Sequence, residues 1–407
     1  MSEQVRRCLS SAGLSIAVSL LVSILPALVR AQEVGGDLTG GASIFRPKNP
    51  ESRRSASPRP PRPRMTAAEI EERYGDALAD GNDARDARKF TVAETAYHLA
   101  VNIKPRDARA PYGLGNVFSD QQRWDDAEKS YRQAMEFAAT NPDILIALSF
   151  VLVQPRTGAV NAKRFADAEY YAQRATQLAP NSAIAFDRLG VAKTARGIFN
   201  AETENSFRRA LELDPHFVVA QVHLARVLRQ QNRFSEADTL YKSAIDQAKD
   251  APTLVLIADA MQNEQRWNDS DSVLRRALQM DPRNPGALFL LGKLLAVNKK
   301  YAEAEPVLKS AVEVNPRSFP ARNILGRVYL GLERYDDAFR TYEQAAGLAS
   351  DADRKQLAGK FGFGGVGDGY AAKGQSHDAV RAYQRALQLD PNNSELQSKL
   401  AAARAKP

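Results

Sequence analysis

A short glycine-rich run is the first place where this sequence could do chemistry. The segment Gly362-Phe-Gly-Gly-Val-Gly367 has the letters of a dinucleotide-binding pattern, in which glycines let the backbone approach a phosphate. That chemistry also needs a preceding strand, so that the phosphate meets a helix N-terminus at a parallel sheet. The run falls instead inside a helical pattern, where Gly367 takes the place of a small packing residue. We predict no cofactor here and expect a weak or mobile helix, since each glycine costs about 1 kcal/mol relative to alanine.

The side chains that most often build catalytic or metal centres are scattered along the chain. The four histidines have no spacing that would make them joint metal ligands: His98, His216, His223 and His377. No nucleophile, base and orienting group can be matched. Acidic residues fall mainly on turns, as in Asp125-Asp126 and Asp336-Asp337, where they suit helix N-termini. We therefore predict no catalytic residue, no metal, no cofactor and no enzyme activity.

The N-terminus has the features of a secretory leader. Two arginines, Arg6 and Arg7, precede an uncharged apolar stretch at residues 14–29, which is shorter than the about 20 residues of a membrane-spanning helix. Small residues at Val29 and Ala31 favour cleavage before Gln32. We predict a signal peptide at residues 1–31 and a periplasmic or secreted protein. An uncleaved leader that anchors the chain in a membrane by residues 14–29 is the alternative.

Cysteine usage agrees with an extracytoplasmic chain. Cys8 is the only cysteine, and it precedes the apolar stretch of the leader. Cleavage would remove it, and the mature chain could then form neither disulfides nor thiolate metal sites.

A basic, proline-rich segment follows the leader. Residues 32–64 contain seven basic and three acidic side chains, whereas residues 65–407 carry a net charge of only +2. Proline and mutually repelling arginines predict a disordered spacer. A basic tether to anionic envelope polymers or lipid head groups is the alternative. Because the charges of the remaining chain nearly cancel, we expect no nucleic-acid partner despite a pI of about 9.4.

One three-residue pattern recurs through the rest of the chain: an alanine, an aromatic residue or leucine four positions on, and another alanine three positions later. Clear copies are Ala93-Tyr97-Ala100, Ala127-Tyr131-Ala134, Ala237-Tyr241-Ala244, Ala304-Leu308-Ala311, Ala338-Tyr342-Ala345 and Ala379-Tyr383-Ala386. Looser copies begin at Ala168, Thr203 and Ser270. The last residue of the pattern recurs at intervals of 34, 41, 35, 34, 33, 34, 34 and 41. Such a constant period indicates a repeat architecture.

Each copy predicts two short helices. The first carries an apolar stripe with helical spacing, as at Leu288, Leu291 and Leu295, and the second carries the alanine pattern. Most copies end at Asn-Pro or Asp-Pro, because proline cannot continue a helix. Glycines such as Gly190 and Gly326 would let the two helices approach closely. No pair can bury its apolar faces alone, so the pairs must stack.

This period and residue pattern resemble the tetratricopeptide-repeat family, over roughly residues 67–391. The resemblance implies an all-α fold, a right-handed α-α superhelix of about nine helix pairs at residues 65–391, with a capping helix within residues 392–407. Two insertions depart from the pattern, at residues 154–163 and between Ser350 and Lys360.

The resemblance also implies that the first helix of each pair lines a concave, peptide-binding face. Carrying this over by repeat position gives candidate binding residues in copies two, five, seven and eight: Tyr112, Asn116, Arg226, Arg229, Phe289, Lys293, Asn323 and Arg327. The basic members suit an acidic segment or a C-terminal carboxylate. An ordinary solvated helix face is the alternative interpretation.

The function expected from these features is that of an exported scaffold, which binds peptide segments or partner proteins on its concave face. The alternative is a membrane-anchored accessory factor in envelope assembly or secretion.

Overall fold

The computed structural model of the chain describes residues 65–156 and 161–405. The predicted leader and spacer lie outside these residues. Every regular element within them is an α-helix. The helices form nine pairs: α1 Ala67–Asp86 with α2 Phe90–Ile103, α3 Arg109–Asp120 with α4 Trp124–Phe137, α5 Pro142–Leu152 with α6 Asn161–Leu178, α7 Ala183–Ala195 with α8 Ala201–Leu213, α9 Val218–Gln230 with α10 Phe234–Gln247, α11 Ala251–Asn263 with α12 Trp267–Met280, α13 Pro285–Val297 with α14 Tyr301–Val314, α15 Phe319–Gly331 with α16 Tyr335–Ala346, and α18 Phe363–Ala372 with α19 Ser376–Leu389. A short helix, α17 (Asp351–Ala358), precedes the ninth pair, and α20 (Ser394–Arg404) follows it.

The ends of the helices follow from local sequence. Many first helices begin after a side-chain cap, as where the Asn284 amide oxygen and the Ser318 hydroxyl accept backbone N–H groups. Inside eight of the described pairs, the turn between the two helices contains one residue of positive φ, such as Gln122 or Gly197. The third pair has its insertion at this turn instead. The turns inside these eight pairs therefore share a residue in the left-handed backbone region.

Close packing inside each pair depends on the alanines and the small residue of the first helix. A Cβ on Gly190 would lie 2.5 Å from the Phe207 ring, and one on Gly367 would lie 2.5 Å from the Tyr383 ring. The alanines of the repeated pattern are almost fully buried. The predicted close approach of paired helices is therefore confirmed.

Neighbouring pairs stack in register along the chain. The first helices of most successive pairs pack against one another, as α9, α11 and α13 do, whereas each second helix packs on the first helix of the next pair. Because the first helices lie nearer to their equivalents, they form the inner side of the curved stack. The predicted α-α superhelix of about nine pairs with a capping helix is confirmed.

The glycine-rich run lies only partly inside the helix predicted for it. Gly362 is the N-cap of α18 and lies before the helix, so the run does not fall wholly inside it. A Cβ on Gly362 would collide with the carbonyl of Leu357, at the end of α17, and one on Gly365 would collide with the carbonyl of Lys360. These glycines allow two stretches of backbone to touch where the second insertion folds as α17.

Candidate peptide-binding groove

One position of the first helices recurs on the inner side of the stack, directly after the small packing residue. We call these residues the inner row: Asn82, Asn116, Phe150, Val191, Arg226, Asp259, Lys293, Arg327 and Asp368. Four of its charged members lie at consecutive intervals of 33, 34 and 34 residues, from Arg226 to Arg327. The row therefore follows the period of the repeats.

Three members of the inner row are occupied by internal hydrogen bonds. The buried hydroxyls of Tyr97, Tyr131 and Tyr383 donate to the side chains of Asn82, Asn116 and Asp368 at 2.7, 2.8 and 2.8 Å. Asn116, a predicted binding residue, therefore serves as the acceptor of a buried tyrosine.

Tyr112, the other candidate of the second pair, packs against the ring of the same tyrosine, Tyr131. Its ring centroid lies 5.7 Å from that of Tyr131, and its side chain is half-buried. The sequence correctly placed Tyr112 and Asn116 on the first helix of their pair. It gave no sign that Tyr131, on the second helix, contacts both side chains.

The inner row differs in pairs five to seven. Leu274 and Leu308 replace the tyrosine beneath it in pairs six and seven, and neither carries a hydroxyl. In pair five the hydroxyl of Tyr241 donates to Glu264 at 2.8 Å rather than to the row. Arg226, Asp259 and Lys293 thus lack the tyrosine bond that holds Asn82, Asn116 and Asp368 in pairs one, two and nine. We call these three residues the central groove.

Asp259 places a carboxylate between two of the predicted basic residues. It is only 3% exposed, and its Oδ2 accepts one long hydrogen bond, 3.3 Å from Asn263 Nδ2. Burial raises the pKa of this carboxyl to about 6, against the opposing charges of Lys293 and Arg226. An acid therefore lies between the predicted cations Arg226 and Lys293 in the row, and the sequence-based candidates did not include it. Counting one repeat on from Arg226 would have found this acid.

Arg229 is not a free groove cation. Its Nε lies 2.8 Å from Glu264 Oε2, and its guanidinium lies 5.1 Å from the centroid of the Phe234 ring. Burial raises the pKa of Glu264, although its bond from Tyr241 and the nearby arginines oppose this. Arg229 is thus the counter-ion of a largely buried acid in the next pair. The sequence offered no sign of this contact, because the candidate residues included none from copy six.

The remaining candidates differ in exposure. Phe289 is half-buried against the main apolar core, and Asn323 is 7% exposed, with its amide 3.3 Å from Gln356 of α17. Arg327 is exposed, and its guanidinium lies 4.9 Å from the ring of Phe361. Among the predicted cations, Arg226, Lys293 and Arg327 form no ion pair with another described residue.

A buried ionic cluster joins pairs four and five beside the central groove. Asp187 is fully buried, 2.7 Å from Nδ1 of His223 and 3.1 Å from Nη1 of Arg188. Burial alone would raise the pKa of Asp187, but the interactions with His223 and Arg188 outweigh it and lower that pKa. Burial lowers the pKa of Arg188. This cluster ties two first helices together.

Two kinds of feature are absent from the described part of the chain, a metal-binding cluster and a membrane-spanning helix. No group of three or more histidine, cysteine, aspartate or glutamate residues in the ranges 65–156 and 161–405 could hold a metal ion. No helix in those same ranges has the length and apolar character needed to cross a bilayer.

Family models match four stretches of these repeats. Models described as tetratricopeptide repeat match residues 78–142 and 200–259, and one described as TPR repeat matches residues 367–406. A model described as anaphase-promoting complex, cyclosome, subunit 3, matches residues 263–345. The chain is a tetratricopeptide-repeat protein. Tetratricopeptide repeats typically serve as non-catalytic scaffolds for other proteins or peptides.

Several known proteins are similar to parts of this tetratricopeptide-repeat chain. Cellulose synthase operon protein C from Pseudomonas fluorescens is 26% identical over 212 residues, and that from Xanthomonas axonopodis is 30% identical over 183. These matches cover 50% and 44% of this chain but only 16% and 12% of the relatives' own length. Among solved structures, the C-terminal part of a TPR protein from Cytophaga hutchinsonii has a TM-score of 0.48 at 14% identity, over 64% of this chain and 98% of that one.

Proposed function

We propose that this protein is an exported scaffold that holds an acidic segment of a partner protein in the central groove. One observation carries the proposal: Arg226 and Lys293, in pairs five and seven, face the inner side half-buried and without an ion pair to another described residue, whereas Asn82, Asn116 and Asp368 of the same row are engaged by a tyrosine hydroxyl. Two half-buried cations on the same face of the stack, one pair apart on either side of pair six, suit a carboxylate, because charge-assisted hydrogen bonds to carboxylates are strong.

The dimensions of the stack suit an extended ligand. Neighbouring helices pack about 8–10 Å apart, and an extended chain advances about 3.3 Å per residue. A bound segment would therefore pass one helix pair roughly every three residues. Arg226, Lys293 and Arg327 would contact side chains several residues apart, which spreads the affinity over several repeats.

Export and the absence of catalysis complete the proposal. The leader predicted at residues 1–31 supports a periplasmic or secreted location, with the solenoid beyond the predicted basic spacer. The cations of the groove could bind and orient a carboxylate, but no group near them is arranged to attack a bond. A non-enzymatic role fits this arrangement best.

A membrane-anchored accessory factor in envelope assembly or secretion is the second candidate. It is favoured by the apolar stretch at residues 14–29, which an uncleaved leader would keep, and by the likeness to a protein named for the cellulose synthase operon. Mass spectrometry of the mature N-terminus separates the two candidates, because a chain that starts at Gln32 has lost the anchor.

Charge reversal in the groove tests the proposed function. Changing Arg226, Lys293 and Arg327 together to glutamate should weaken binding of a synthetic peptide of alternating glutamate and alanine by about 100-fold or more. Attraction becomes repulsion at three points along the ligand. Isothermal titration calorimetry on the full chain measures the change.

The matched control reverses three cations on the second helices of the same pairs: Lys242, Lys309 and Arg340. The control has the same net charge but leaves the inner side intact, so we expect its affinity to stay within a few-fold of the native one. Equal weakening in both triple variants, or none in either, would refute groove binding.

A further inference from the structure

Asp259 has no packing reason to be an acid. The corresponding position holds Asn82 and Asn116 in other pairs, and Val191 in pair four, so the fold accepts a neutral side chain there. The residue beneath it in pair six is Leu274, whose side chain cannot form a hydrogen bond with a carboxylate. The cost of burying this charge is therefore unexplained by the stack itself.

The charges around Asp259 come from the two neighbouring pairs. Arg226 on α9 and Lys293 on α13 hold the same repeat position as Asp259 on the two first helices packed against α11, and their charges act on its carboxylate without a direct ion pair. Asn263 on its own helix donates one hydrogen bond. The adjacent acid, Glu264, is engaged by Arg229 and Tyr241. Two cations and one anion give the empty central groove a net charge of +1.

We infer that Asp259 is a specificity-determining residue: its carboxylate partly offsets the charges of Arg226 and Lys293 in the unliganded groove without a direct ion pair, and it takes up a proton when the carboxylate of an acidic segment binds between these cations. This inference rests on the proposed function and sharpens it. The ligand is an acidic protein segment whose binding is coupled to the uptake of one proton from solvent.

The physical reason is that two carboxylates at one partly buried site cannot both ionise cheaply. The carboxyl of Asp259 already has a raised pKa, about 6, because it is buried. A ligand carboxylate between the same two cations adds a like charge, which raises that pKa further. Asp259 is therefore the carboxyl that takes up the proton. The ligand carboxylate stays ionised and interacts with both Arg226 and Lys293.

This coupling sets a direction for pH dependence. Below the pKa of Asp259 the groove has two uncompensated cations, whereas above it one of the two charges is cancelled. We therefore expect affinity for the acidic peptide to fall as the pH rises above about 6, by at most about tenfold per pH unit. A neutral residue at position 259 would remove this loss.

Calorimetry in buffers of different ionisation enthalpy tests the inference. With the glutamate–alanine peptide at about pH 7, the native chain should take up close to one proton on binding. Asp259→Asn should bind with no proton uptake and about tenfold more tightly. Asp271→Asn is the matched control, since it removes an equal charge from the second helix of the same pair, and it should behave like the native chain.

Each outcome has a separate meaning. Equal proton uptake and equal affinity in the native chain and Asp259→Asn would overturn the inference while leaving groove binding intact. If no form bound the peptide at any pH, the proposed function would fail, and the inference with it. Asp259→Val introduces the residue type found at Val191 and should also lose the proton uptake. This second variant shows whether the loss comes from removing the carboxylate rather than from the asparagine side chain.

Discussion

Replacing Asp187 by alanine should lower the free energy of unfolding by about 3–5 kcal/mol. The carboxylate is fully buried between His223 on the next first helix and Arg188 on its own helix. Alanine would leave the Arg188 guanidinium, itself 5% exposed, without its counter-ion in the interior. An uncompensated buried charge is far more costly than a lost surface ion pair.

Urea denaturation of the native chain and of Asp187→Ala measures this difference. Asp271→Ala is the control, because Asp271 forms only a helical ion pair with Arg275 at the surface, and its loss should cost less than about 1 kcal/mol. A loss in Asp187→Ala no larger than in the control would show that the buried cluster does not stabilise the stack.

The pH dependence of this effect follows from the lowered pKa of Asp187. A depressed folded-state pKa contributes stability that is present above the ordinary aspartate pKa, about 3.9, and is lost as the pH falls through the folded-state value. The stability difference between the native chain and Asp187→Asn should therefore shrink in strong acid.

Replacing Gly362 by alanine should destabilise the C-terminal end of the stack by about 3 kcal/mol. The added Cβ would collide with backbone atoms of Leu357, which cannot move aside as a flexible side chain could. Each helix pair contacts only its neighbours, so the damage should stay local. We expect faster amide hydrogen exchange in helices α17 to α20 and native exchange in the first seven pairs.

Gly347→Ala provides the control in the same region. A Cβ on Gly347 would meet its nearest atom at 3.8 Å, an ordinary contact, and its φ of −68° suits alanine. Hydrogen exchange measured by mass spectrometry should show no change in this variant. Native exchange in both variants would mean that the backbone contact at Gly362 is not tight, and that the glycine run is a flexible segment after all.

The repeat architecture could be predicted because its determinants are local. The contact of Gly190 with Phe207, for example, joins two helices of one pair that are close in sequence. Residue type and spacing are enough to specify such a contact. The same spacing identified the two insertions, although it did not show that the second one folds as α17.

The state of the groove residues could not be predicted in the same way. Whether Asn116 or Arg229 can bind a ligand depends on which side chain reaches it from another helix. Tyr131 donates a hydrogen bond to Asn116 from the second helix of the same pair. Glu264 forms an ion pair with Arg229 from the next pair, although 35 positions separate Glu264 from Arg229 in the sequence. Asp259 could have been predicted as a groove residue from the sequence, because it occupies the same repeat position as Arg226.

A photo-crosslinker placed on the inner side tests the central claim most directly. Phe289 lies in pair seven and would be replaced by benzoylphenylalanine in the full chain, expressed in cells. Tyr170, 55% exposed on the second helix of pair three, would be replaced in the same way as the control. We predict a discrete protein adduct from position 289, lost when Arg226 is changed to glutamate, and none from position 170. An adduct from position 170 alone, or one at position 289 that persists in Arg226→Glu, would contradict binding in the central groove.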